Sequence, residues 1–371
     1  MDAKAELIIV REDFDALLHA IASRGYTIIG PTVRDGAIVY DELQAASDLP
    51  VGWTDEQGPG HYRLRRRDDE ALFGFAVGPH SWKAHQLPAE RTLWRARVDA
   101  DGGLTEFEAG HSDRRRYAFL GARSCELHAM GILDHVLSQS SDDVLVIAVQ
   151  CGQAGGTCFC ASMDTGPVAE QGFDLALTEL IQNGRHCFLC EVGSARGGDL
   201  LGDVPCREAT ADEREAAGQV HERTAASMGR ELDTDGLKEL LYRNYEHPRW
   251  DEVAERCLTC GNCTMVCPTC FCTTVEDVTD LAGEHVERQA RWDSCFTVDY
   301  SGIHGGAVRG SARSRYRQWM THKLATWLDQ FGSSGCVGCG RCITWCPVGI
   351  DLTEEAAAIR ADDGAADADA R

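Results

Sequence analysis

The sequence holds no apolar run long enough to cross a bilayer, which excludes a membrane-spanning helix. Its first residues, Met1-Asp2-Ala3-Lys4-Ala5-Glu6, are charged and lack the apolar stretch and cleavage site of a secretory signal, so the expected compartment is the cytoplasm. Basic charge is scarce. Lys and Arg number 36 against 59 Asp and Glu, a formal net charge of −23, which argues against nucleic acid or an anionic membrane as a partner. No glycine-rich dinucleotide fingerprint follows a strand, no Walker loop is present, and no two side chains read as a catalytic acid and base. Gly102-Gly103 and Gly305-Gly306 are turn signals only. A solenoid period is also missing.

What the chain has in excess is cysteine. Eighteen in 371 residues is not the pattern of a small secreted disulfide scaffold, and a reducing compartment suits so many thiols. Eight of them form two near-duplicate runs. The first is Cys257-Leu-Thr-Cys260-Gly-Asn-Cys263-Thr-Met-Val-Cys267-Pro268; the second is Cys336-Val-Gly-Cys339-Gly-Arg-Cys342-Ile-Thr-Trp-Cys346-Pro347. Both follow the spacing that holds 4Fe–4S cubanes in two-cluster ferredoxins. Three thiolates on a tight loop wrap three corners of one cube, and the fourth, held by the proline behind it, reaches the other cube. On this logic Cys257, Cys260, Cys263 and Cys346 hold one cluster, and Cys336, Cys339, Cys342 and Cys267 hold the second. Disulfides and zinc are the rival readings. Zinc pairs need neither the third cysteine nor the Cys-Pro ending that both copies carry.

The chain reads as α+β: an N-terminal mixed α/β region followed by a helical ferredoxin-like domain carrying two 4Fe–4S clusters. Residues 1–115 are expected to be mixed and β-rich, with a helix over Phe14 to Ile21 and a strand from Tyr26 into a turn at Gly30-Pro31. Residues 116–210 alternate strand and helix, and Val144 to Val149 is a buried strand. Thr210-Ala-Asp-Glu213 reads as a capping box opening a helical linker over 211–255, and Pro248 suits the first turn of a helix leading to Cys257. Residues 256–355 form the cluster domain. Its insertion contains a helix over 316–331, stopped by Gly332, for which a compact ferredoxin has no room. The acidic tail, 356–371, is expected to be disordered from Ala361 onward.

A second cysteine group lies upstream: Cys125 after one strand, Cys151 after another, and Cys158-Phe-Cys160 on a loop. Convergence at one sheet edge would make them a third iron–sulfur site, with zinc or plain buried thiols as alternatives. Cys270, Cys272 and Cys295 are read first as packing residues, then as altered ligands or donors to cluster sulfur. Cys187 and Cys190 read as buried strand residues, because no helix follows to activate them.

Several stretches carry a resemblance. Trp292-Asp-Ser-Cys295-Phe, Ser314-Arg-Tyr-Arg-Gln-Trp319, His322-Lys-Leu324 and Gly338-Cys-Gly-Arg-Cys342 are similar to the iron–sulfur beta subunit of cytoplasmic sulfhydrogenases, the NAD(P)-linked nickel–iron (NiFe) hydrogenases. They equally resemble the related iron–sulfur subunit of anaerobic sulfite reductase. Pro59-Gly-His-Tyr-Arg63-Leu, Gly78-Pro-His-Ser-Trp-Lys83, Gly121-Ala-Arg-Ser-Cys125 and Cys158-Phe-Cys160-Ala-Ser-Met extend the likeness over nearly the whole chain. The resemblance implies a non-catalytic relay subunit of a hetero-oligomer. It would pass single electrons between a flavin subunit that binds NAD(P) and the small and large subunits of a NiFe-hydrogenase, with flavin only on the partner. The same relay in a sulfite reductase is the alternative, and an iron–sulfur sensor is a third.

Overall fold

The computed structural model describes residues 6–110, 115–137 and 144–369, with side chains of the last helix as far as Asp363. An eight-stranded mixed sheet forms the N-terminal half, in the order 207–208, 6–10, 185–192, 175–182, 145–149, 116–122, 26–34, 37–42. Strands 26–34, 116–122, 145–149 and 175–182 run parallel to their neighbours within this group. A parallel strand is covered on both faces, and Leu145–Val149 is buried at every position. Successive residues enter different cores. Ile28, Leu120 and Ile147 join Phe14, Leu17 and Phe188 on one face, while Ile29, Phe119 and Val146 join Trp82 and Met130 on the other. Cys187 and Cys190 lie buried in the strand Arg185–Val192.

The Thr210 capping box is formed, with Glu213 returning to Thr210 and the helix running Ala211–Ala226. Helices Leu237–Arg243, Arg249–Arg256, Ala312–Thr321, Trp327–Phe331 and Leu352–Asp369 then enclose a second core built on Trp250, Tyr316, Trp319 and Leu240.

Two features differ from expectation. The insertion between the cysteine runs is not only helical. Strands Thr273–Thr279 and His285–Trp292 form a hairpin that pairs with Glu90–Val98 and Leu104–Ala109 of the N-terminal half in one four-stranded sheet. Secondly, the tail expected to be disordered continues the helix Leu352–Asp369. Alanine is the best helix former, and Asp363 is gripped by Arg243 and Asn244.

Within the expected helix 316–331, residues His322–Thr326 form a π turn. The freed carbonyl of Lys323 accepts from Gly335 N at 2.8 Å and Ser334 Oγ at 3.2 Å. Such turns interrupt a helix at a cost and recur at functional sites.

Candidate iron–sulfur centre

The two cysteine loops share one backbone. Thr259 (φ 51°) and Gly261 (φ 74°) in the first correspond to Gly338 (φ 62°) and Gly340 (φ 75°) in the second. Each loop feeds a one-turn helix, Asn262–Met265 or Arg341–Thr344. Asn262 Nδ2 donates to the carbonyl of Trp345, the residue before Cys346, and so ties the first loop to the end of the second.

Two cavities result. Cys257, Cys260, Cys263 and Cys346 line one, together with Cys342, which also lines the second, around about 460 Å³ of empty space. Cys267, Cys336, Cys339 and Cys342 line the other, of about 310 Å³. Burial, unrelieved by a nearby cation, pushes the Cys263 and Cys342 thiols far up. Burial raises Cys336 to about 12, with Lys323 partly offsetting it. Four thiols lining one cavity suit bound iron, which deprotonates its ligands. Among the described residues no three His, Cys, Asp or Glu side chains converge closely enough to chelate a single ion.

The sulfur atoms are also hydrogen-bonded. Thr259 N reaches Cys257 Sγ at 3.4 Å, Ile350 N reaches Cys346 Sγ at 3.3 Å, and Gly338 N reaches Cys336 Sγ at 3.5 Å. Cys267 differs in meeting a cation: Lys323 Nζ lies 3.1 Å from its Sγ and 3.0 Å from Thr269 Oγ1. The Cys270 thiol, together with Lys323 and Thr269, holds Cys267 well below the usual thiol range despite burial. Burial opposes the charge of Lys323, but the sulfurs of Cys267, Cys270 and Cys336 outweigh it and hold the ammonium well above the usual lysine range. Lys323 and the π turn that aims it carried no signal in the spacing of the sequence. The stretch His322-Lys-Leu324 contained it, but as resemblance alone.

The N-terminal half forms the bed of both loops. Phe159 N donates to Gly338 O at 2.8 Å, and the Thr157 and Thr344 hydroxyls meet at 2.7 Å. Thr165 Oγ1 donates to Val337 O at 2.7 Å. Gly60 N donates to Ile343 O at 3.1 Å. Lys83 Nζ, over the ring of Trp292 at 4.1 Å, donates to the carbonyls of Thr264 and Met265. Arg341, fully buried, donates to Gly78 O, His80 O and Glu126, and Glu126 also receives Tyr40 and Trp82. Breaking such a buried pair costs about 3–5 kcal/mol.

The upstream cysteines join this bed. Cys125 and Cys160 share a buried cluster with Val337 and Cys339. Cys158 Sγ contacts Cys339 O and Cys160 Sγ contacts Met228 Sδ, both at 3.8 Å. Burial raises all four thiols, and their mutual proximity adds to it for Cys125, Cys158 and Cys160; Arg123 partly offsets it for Cys151.

Residues 256–350 match the 4Fe–4S dicluster domain. Over 342 residues, 87% of this chain and 89% of the relative, the sequence is 31% identical to sulfhydrogenase 2 subunit beta of Pyrococcus furiosus. The eight cysteines, the paired cavities and this full-length similarity agree, and the chain belongs to the sulfhydrogenase beta-subunit family of iron–sulfur electron-transfer proteins.

Proposed function

We propose that the chain is the relay subunit of a cytoplasmic hydrogenase complex, working between a flavin subunit that meets NAD(P)H and a nickel–iron catalytic module. Cys257, Cys260, Cys263 and Cys346 would hold the first cubane and Cys336, Cys339, Cys342 and Cys267 the second. The partition of these eight thiols between two adjoining cavities carries this reading. Each cubane, when bound, takes up and returns one electron.

The protein's own residues do the rest. Cys260 and Leu258 are exposed, Leu258 by 61%, so the first loop is the side open to a partner. The second loop is sealed against the N-terminal bed, with Cys339 only 7% exposed. Lys323 places a cation beside the second set alone, which favours extra negative charge there. Cys125, Cys151, Cys158 and Cys160 would take a third cluster if their four thiols are deprotonated together; their convergence supports it.

Anaerobic purification with all bound partners tests the reading. Two cubanes give about eight irons per chain and a third raises this to about twelve. Hydrogen-dependent NAD(P) reduction by the complex is the expected activity. A complex lacking a nickel–iron subunit overturns the assignment.

A further inference from the structure

Beside the second cavity opens a larger one, of about 920 Å³, whose lining includes Cys270, Cys272, Cys295, Tyr300, His322 and Lys323. None of these three cysteines belongs to the proposed ligand sets. The hairpin that begins here fixes two of them. Thr273 pairs with Trp292, and Asp293 N donates to Cys272 O at 2.9 Å, so Cys272 and Cys295 lie across the open end of two antiparallel strands. Their thiols adjoin on the cavity wall, and Tyr300 adjoins Cys272 as well. Both cysteines are half-buried, on a cavity that opens to solvent. Cys270 is engaged elsewhere, on Cys267.

We propose that Cys272 and Cys295 form a redox-active dithiol that reduces a small disulfide and is itself re-reduced through the second cluster. In the exchange, Cys272 Sγ attacks one sulfur of the disulfide and expels the first thiolate. Cys295 Sγ then attacks Cys272 Sγ, closing the intramolecular S–S bond and releasing the second. The protons lost by the two cysteines go to the departing thiolates. Two electrons, arriving singly through the clusters, and two protons from solvent reopen the bond. The source of electrons rests on the two-cluster reading; the thiol pair does not.

The test uses the full-length, anaerobically isolated protein. After treatment with glutathione disulfide and alkylation of the remaining thiols, peptide mapping is expected to find Cys272 linked to Cys295. With viologen as reductant, the protein is expected to release two thiols per glutathione disulfide, an activity lost in C272S and C295S at unchanged iron content. Absence of the linked peptide from the wild-type chain overturns the proposal. So does a loss of about four irons in either variant, because that makes the pair cluster ligands. An iron-free wild type would fail the two-cluster reading instead, and the linked peptide, which forms by exchange alone, would still decide the pair.

Discussion

Lys323 Nζ sits 3.1 Å from Cys267 Sγ, the last cysteine of the first run, which lines the cavity of the second. With Cys267 as a ligand, as proposed, a buried ammonium on its sulfur would stabilise the reduced, more negative cluster. Hydrogen bonds to charged groups contribute about 1.5–3 kcal/mol. At 59 mV per tenfold for one electron, that is about 60–130 mV. Lys323→Met is therefore expected to lower one of two potentials, by at most that amount, in an EPR-monitored titration and to leave the other nearly unchanged. Two unmoved potentials would rule the role out.

Cys346→Ala tests the exchange of last sulfurs. The residue belongs to the second run but lines the cavity of Cys257, Cys260 and Cys263. Its loss should remove or degrade the first cluster, with up to about four irons per chain, and leave the second signal, the one shifted by Lys323→Met, in place. Loss of the shifted signal instead would reverse the assignment.

A methyl group at Gly338 would lie 2.6 Å from Phe159 O, and one at Gly340 would lie 2.3 Å from Thr157 O, both at positive φ. Neither neighbour is a movable side-chain end. Gly338→Ala and Gly340→Ala should unseat the second loop and lose its iron. Gly332→Ala is the control: its φ is +72° but nothing lies within 4 Å. Its cost should stop at the roughly 1–2 kcal/mol of a left-handed alanine, with iron retained. Iron analysis and thermal unfolding under argon separate the outcomes.

The Cys272 thiol is pulled down to about 6, first by Cys295 and, against burial, also by Tyr300 and Lys323. The thiolate is the reactive form, so alkylation of Cys272 should rise with pH and level off above about 6, well below an ordinary cysteine. Cys295→Ala removes the largest cause and should move the midpoint upward. Mass-resolved iodoacetamide labelling between pH 5 and 9 reads it out, and a midpoint near 8.5 in the wild type would refute the contact.

The cysteine runs are legible in sequence because ligands on one loop must fall at short fixed spacings. The bed beneath them is not. Nothing local in Thr157-Cys-Phe-Cys160 says that its carbonyls fit against Gly338 and Gly340, since that contact joins segments some 180 residues apart. The hairpin Thr273–Trp292 hid for a related reason. Much of its surface is wet, so Glu276, Asp277, Glu287 and Arg288 blur the alternation, and its third strand comes from Glu90–Val98. The tail reads as low complexity until Arg243 is seen on Asp363.

The bed also sets an order of manufacture. A ribosome delivers the sheet, the Thr157–Cys160 loop and the Lys83 clamp before it delivers the second cysteine run. Cys267 emerges long before Cys336, and the first run must wait for Cys346 to complete its cavity. Iron delivered before Cys346 has emerged would meet half-built sites. A separately produced stretch covering only residues 256–350 would present eight thiols without the mould that shapes them.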